Sequence, residues 1–155
     1  MEEPVEHRGE TPLERADRNW DELLGELRVT QTCVAILFSL LLTVPFSARF
    51  DSVDAFQRRV YLVALLLAAA SAVVLIAPVA YHRVLFGQRQ KPAVVRASSR
   101  FAVAGLGLLC LALAAVLLLV ADVLLERAVA VAIAGTFGVA TAALWFVPGM
   151  LRRAR

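Results

Sequence analysis

The sequence predicts an all-α fold, a four-helix transmembrane bundle preceded by an N-terminal cytoplasmic amphipathic helix. Hydrophobic residues make up 60% of the 155-residue chain, and four long apolar stretches carry no charged residue in their cores. Each stretch is close to the ~20 residues that a helix needs to cross the hydrocarbon layer, where only helices and closed barrels satisfy their backbone. We place the spans at about 29–46, 60–79, 101–121 and 128–147, within a membrane domain of 29–151.

A soluble helical bundle is the competing prediction for so apolar a chain. It would need polar stripes recurring every 3.6 residues, as water-facing helices have. The segments 65–77 and 106–121 are apolar on every face except for single small residues. The sequence therefore favours the membrane.

The N-terminal segment is polar and net acidic. We expect residues 1–10 to be disordered and residues 11–28 to form an amphipathic helix, because Thr11, Pro12 and Glu14 form a helix-start signature. The apolar face of this helix comprises Leu13, Ala16, Trp20, Leu23, Leu24 and Leu27. Nine acidic and four basic residues lie in positions 1–28, whereas surface-lying membrane helices usually carry basic residues. We expect this helix to contact the protein's own basic loop or a partner; docking on lipid is the alternative.

The distribution of Lys and Arg predicts the orientation. Four spans put both termini on the same side of the membrane. Twelve of the Lys and Arg residues fall on that side, including those of the basic tail at 152–155, and four fall on the other side. This bias predicts that both termini are cytoplasmic. The basic inner loop could then contact anionic lipid head groups.

Six polar residues near the span ends are candidate functional positions. Polar residues at the start of the first span suggest interhelical hydrogen bonds, or alternatively a polar pocket at the cytoplasmic mouth. Another candidate is Asp122, an acid about one turn from the outer surface, which could pair with Arg58 or Arg59. His82 and Arg83 lie at the inner boundary, where His82 could sense pH or simply cap a helix end. The six are Thr30, Gln31, Thr32, His82, Arg83 and Asp122.

Small residues recur every four positions in the fourth span and are candidates for helix packing. The first stripe is Ala130, Ala134, Gly138 and Ala142, and a neighbouring one is Ala128, Ala132, Thr136 and Ala140. Such stripes let helices approach closely in lipid. A stripe beyond those that the monomer needs would form a homodimer interface. Gly105 and Gly107 are likewise interpreted as a packing feature of the third span.

The chain resembles an uncharacterised, mainly actinobacterial family of small four-span integral membrane proteins. The resemblance covers residues 10 to about 148 and is carried by ETPLER at 10–15, WDELL at 20–24, ELRVTQT at 26–32, PF at 45–46, QRRVYL at 57–62 and APVAYHR at 77–83. It implies a location in the bacterial inner membrane. Some members are labelled sodium/proton antiporters, but this chain lacks paired acids within its spans.

We therefore predict a structural or accessory membrane protein with a cytoplasmic interaction surface. The alternative is a small ion or proton-coupled transporter, antiporter-like, using Asp122, His82, Gln31 and Thr32. No enzymatic activity, cofactor, metal or nucleic acid is expected, because no metal-ligand cluster, phosphate loop or nucleophile–base set is visible. The expected partners are the lipid bilayer and either a second copy or another membrane protein.

Overall fold

The computed structural model describes residues 11–48, 50–84 and 91–153, and this part of the chain is helical without strands. Four helices are long and apolar enough to cross a membrane, which confirms the all-α prediction. They are α1 (Pro12–Thr43), α2 (Ala55–Val84), α3 (Lys91–Leu124) and α4 (Arg127–Arg153). The membrane-length segments are Gly25–Phe46, which extends three residues past α1, Ala55–Ala80, Ser98–Leu124 and Arg127–Gly149, close to the predicted spans.

Helix α1 joins the amphipathic segment and the first span without a break. A capping box starts it, as predicted: the Glu14 amide donates to Thr11 Oγ1 at 3.3 Å, and the Thr11 amide donates to Glu14 Oε2 at 2.7 Å. The amide of Thr11 lowers the pKa of the Glu14 carboxyl. The part of α1 before Gly25 extends about 20 Å beyond the membrane-length segment at 1.5 Å per residue. The predicted disordered residues 1–10 lie outside the described residues.

The core pair is α2 and α3, which pack closely because small residues face each other. Ala64, Ala68 and Ala112 are buried between them. Further along, the Ser71 hydroxyl donates to the Gly105 carbonyl at 2.8 Å, and the fully buried Leu75 covers Gly105. A hydrogen bond to a backbone carbonyl requires this close approach.

Helix α1 contacts both members of this pair. Toward the loop between α1 and α2, Leu41 packs in the alanine cluster with Tyr61. Toward the termini, Leu27 and Val34 pack with Leu75 and Leu109. Leu27 is only 3% exposed, so the predicted apolar face of the amphipathic segment is buried at its last residue.

Helix α4 packs on α3 and, among the described residues, makes no backbone approach to α1 or α2. Its buried residues Ala130 and Ala134 belong to the first predicted small-residue stripe. The second stripe, at positions 128, 132, 136 and 140, is exposed. The predicted tail overlaps α4, since this helix runs to Arg153, and residues 154–155 lie outside the described residues.

Candidate functional site

The most polar contact network lies at the loop end, by which we mean the described residues of 44–58 together with residues 119–127. Helix α2 begins there with a second capping box. The amide of Gln57 donates to Asp54 Oδ1 at 2.8 Å, and the amide of Asp54 donates to Gln57 Oε1 at 3.1 Å. This Asp-x-x-Gln spacing satisfies backbone donors that a helix start leaves free.

Arg127, the first residue of α4, joins this cap to α3. Its Nη2 donates to Asp54 Oδ2 at 2.6 Å and its Nε donates to Asp122 Oδ1 at 3.0 Å. Its guanidinium also lies 4.1 Å from the centroid of the Phe56 ring. One arginine thus connects the starts of α2 and α4 with the end of α3. We call Asp54, Gln57, Asp122 and Arg127 the loop-end cluster.

Hydrogen-bond donors favour the charged form of the Asp54 carboxylate. The backbone amide of Gln57 is the main cause of a lowered pKa at Asp54, and the Arg127 guanidinium is the next largest cause. The Asp122 side chain is 3% exposed and also accepts from Gln57 Nε2 at 3.0 Å. A buried carboxylate is stable only when paired and hydrogen-bonded, and Arg127 and Gln57 meet that requirement.

This arrangement corrects the predicted pairing of Asp122 with Arg58 or Arg59. The partner of Asp122 is Arg127, which the short α3–α4 turn places within reach. The guanidinium of Arg58 lies instead 5.6 Å from the centroid of the Phe50 ring. Opposite charges do pair between the α1–α2 loop and the α3–α4 turn, but the pair is Asp54 and Arg127.

A cavity of about 720 Å³ opens beside the cluster, between the end of α1, the loop, the start of α2 and the end of α3. Its lining is mainly apolar, and Gln57 and Ser47 contribute polar groups. A second cavity of about 530 Å³ includes Arg58 and Arg59 in its lining. Phe50, Val53 and Tyr61 border both cavities.

The wall between the cavities is fixed by aromatic and hydrogen-bonding contacts. The Phe50 and Tyr61 rings meet edge to face, with centroids 5.2 Å apart. The Tyr61 hydroxyl donates to the Leu41 carbonyl at 3.0 Å. Because Tyr61 is buried and bonded to α1, the wall is anchored to two helices.

At the opposite end, the three predicted polar residues of α1 have separate roles. Gln31 Nε2 donates to the Leu75 carbonyl of α2 at 2.8 Å, an interhelical hydrogen bond. The hydroxyls of Thr30 and Thr32 donate to carbonyls four residues back in α1, at 3.1 and 2.9 Å. The structure therefore does not bring the three together into one site.

The Gln31 bond falls next to Pro78, which is fully buried inside α2. Proline has no amide donor and its ring pushes away the carbonyl four residues earlier, which opens the helix locally. Donors from neighbouring helices often compensate such openings in membrane proteins. Gln31 donates to the Leu75 carbonyl, three residues before Pro78 and next to the Val74 carbonyl whose amide donor is missing.

The remaining candidates have simple positions. His82 lies in the last turn of α2, and its side chain is outside the described set; Arg83 is exposed. In α4, Ala130 and Ala134 are buried, and Ala142 is half-buried. A Cβ added to Gly138 would lie 3.4 Å from Ala114 Cβ of α3.

Residues 11–48, 50–84 and 91–153 contain no group of His, Cys, Asp or Glu able to hold a metal ion. Both cysteines are free: Cys33 is exposed, and Cys110 is buried with its thiol 3.6 Å from the Gly138 carbonyl.

Sequence reasoning missed several residues of these sites. Asp54 and Gln57 carry the same capping spacing that was recognised at Thr11 and Glu14, so this signal was present in the sequence. The role of Arg127 and the cavity depend on how the loops fold, and no local pattern encodes them. Ser98 was also missed; its hydroxyl is fully buried and has no hydrogen-bond partner.

No curated protein and no solved structure matches the chain. One family model does match, over residues 9–148, which is nearly the whole chain. Its extent agrees with the resemblance that runs from residue 10 to about 148. The chain therefore belongs to the family of unknown function designated DUF6328.

Proposed function

We propose that this multi-pass membrane protein is an accessory protein of the bacterial cell membrane that works by binding another membrane protein. In this proposal both termini are cytoplasmic, and the chain itself catalyses and transports nothing. The orientation rests on the excess of Lys and Arg on the side of the termini.

The observation that carries the proposal is how the polar side chains within the spans use their hydrogen bonds. Gln31 and Ser71 donate to carbonyls of neighbouring helices, and Tyr61 donates to α1. Asp122 accepts hydrogen bonds from Arg127 and Gln57. Transport sites in membranes usually keep ionisable groups accessible to a cavity or to each other. Here these groups stabilise helix contacts instead.

The surface that we assign to partner binding is the acidic extension of α1. Glu14, Glu22 and Glu26 are exposed there, ahead of or at the start of the membrane-length segment. Exposed acids steer association with a basic surface and suppress binding to anionic lipid. A basic cytoplasmic face of another membrane protein fits this charge.

Charge reversal of this surface tests the proposal. The variant Glu22→Lys/Glu26→Lys is compared with a matched variant at the loop end, Asp51→Lys/Glu126→Lys, whose acids are also exposed. Each full-length tagged protein is cross-linked in native membranes and purified. We expect a stoichiometric cross-linked species that the first variant loses and the second retains. Identical cross-linking of both variants, or no stoichiometric species in wild type, would contradict the proposal.

The second candidate function is ion or proton-coupled transport, and the observation in its favour is that Asp122 is an ionisable residue within a membrane-length segment. An acid that is nearly inaccessible and bonded to an arginine is a poor carrier of protons. Flux measurements with the substitution Asp122→Asn separate the two functions.

A further inference from the structure

We propose that the loop end binds one anionic phospholipid, with its phosphate against Arg58 and Arg59 and an acyl chain in the 720 Å³ cavity. This site is at the end opposite to the acidic extension and does not depend on the proposed partner.

The cavity has the size and chemistry of a site for an apolar chain. Ligand pockets typically measure about 300–1,000 Å³ and are mostly apolar with a few placed polar groups. The walls here include Val44 of the α1 end and Leu119, Val120 and Val123 of α3. The cavity also lies where three membrane-length segments end, at Phe46, Ala55 and Leu124. That depth is where lipid head groups meet the first part of their chains.

The adjoining cavity supplies the positive charge. Arg58 and Arg59 line it and are both exposed, so that a head group can reach them. Arginine presents a planar set of donors that matches phosphate oxygens. Asp51, which is exposed, is an acid of the same loop. It offsets one of the two positive charges.

The other acids of the loop end are absent from the described lining of both cavities. Asp54 and Asp122 both accept from Arg127, and Asp54 also caps α2. Arg127 balances one of these two negative charges, and Glu126 is a further exposed acid of the loop end. Among the described residues that line the second cavity, Arg58 and Arg59 are the charged ones, so they are the charges that a ligand there meets. This charge complementarity selects an anionic lipid over a zwitterionic one.

The aromatic wall places the head group and the chain on different sides. Phe50 and Tyr61 separate the arginine-lined cavity from the apolar one, and Val53 borders both. The Arg58 guanidinium lies 5.6 Å from the Phe50 ring centroid, so a cation–π contact limits the positions it takes. A lipid folded over this wall would contact both cavities.

Quenching by brominated lipid tests the site in the full-length protein. The reporter is Leu124→Trp in a Trp20→Phe/Trp145→Phe background, because Leu124 lines the cavity and is largely exposed. The protein is reconstituted in phosphatidylcholine vesicles containing phosphatidylglycerol, with either the glycerol lipid or the choline lipid brominated. Because Asp51 offsets one of the two arginine charges, the attraction of the remaining charge should give roughly fivefold enrichment of phosphatidylglycerol at the reporter.

Matched variants identify the groups responsible. Arg58→Gln/Arg59→Gln should bring the enrichment close to one, whereas Arg28→Gln/Arg83→Gln, which removes exposed arginines elsewhere, should leave it unchanged. Val120→Phe should reduce quenching by filling the cavity, and Val139→Phe on the exposed side of α4 should not.

Three results would overturn the inference. Equal quenching by the two lipids would mean non-selective contact with the bilayer. Enrichment that survives Arg58→Gln/Arg59→Gln would remove the proposed phosphate contact. Complete loss of enrichment on adding inorganic phosphate, but not chloride of equal ionic strength, would indicate a site for free anions.

Discussion

Substitution of Gly105 by alanine tests the close contact of α2 and α3. A Cβ at this position would lie 2.6 Å from both Cγ and Cδ2 of Leu75, closer than packed carbon atoms come. Leu75 is fully buried and packs with Leu27, Val34 and Leu109, so it has no free space to enter. Either its side chain leaves its rotamer or the two helices separate.

Gly107 is the matched control on the same helix, because a Cβ there meets nothing within 4 Å. Overpacking a filled core costs about 1–3 kcal/mol. Replacing a helical glycine by alanine gains up to about 1 kcal/mol, and this gain is common to both variants. We therefore expect Gly105→Ala to be about 1–3 kcal/mol less stable than Gly107→Ala.

The assay is reversible unfolding of the full-length protein in mixed detergent micelles, followed by circular dichroism. Separation of the helices would also lengthen the hydrogen bond from Ser71 to the Gly105 carbonyl, which is 2.8 Å long. Equal stability of the two alanine variants would refute the close contact. The double variant Gly105→Ala/Leu75→Ala should remove the clash, so its effects should be non-additive.

Three further changes have expected outcomes in the same unfolding assay. Ser98→Ala should be neutral or stabilising, because the buried hydroxyl of Ser98 has no hydrogen-bond partner. Ser71→Ala should lower the free energy of unfolding by about 1 kcal/mol, because it removes the bond to Gly105. Equal losses of stability in the two variants would show that Ser98 is hydrogen-bonded. Gln31→Leu should cost about 1 kcal/mol, because it removes the interhelical donor to the Leu75 carbonyl, and unchanged stability would show that this bond contributes nothing. Acidification should destabilise the protein through Asp54, because the pKa of this carboxyl is lower in the folded protein than in the unfolded chain. Its contribution to the free energy of unfolding is complete above about pH 4 and is lost as the pH falls through the folded pKa. Asp54→Asn should reduce this acid sensitivity, and an unchanged pH profile would show that the donors from Gln57 and Arg127 do not stabilise the charged form of Asp54.

The sequence could predict what depends on length and local pattern. The four spans follow from uninterrupted apolar runs, and the start of α1 follows from the spacing of Thr11 and Glu14. That a polar residue at the start of the first span, such as Gln31, would form an interhelical hydrogen bond was also predicted. Its acceptor next to Pro78 depends on the rotation of α1 against α2, which no single-helix pattern encodes.

The loop end could not be predicted in the same way. Asp122 was recognised as the notable acid, but its partner depends on the path of the α3–α4 turn, which brings Arg127 to it and leaves Arg58 on Phe50. The glycine pair shows the same limit. Both glycines were interpreted as packing residues, yet only at Gly105 does a neighbouring side chain occupy the space of a Cβ.

In the proposed function, the polar groups within the spans stabilise helix contacts and do not carry ions. The most direct measurement is the flux of protons and sodium into proteoliposomes under a pH or sodium gradient, with wild type and Asp122→Asn compared with protein-free vesicles. We predict that neither protein increases the flux. A robust flux in wild type that Asp122→Asn abolishes would contradict the account and establish Asp122 as part of a transport site.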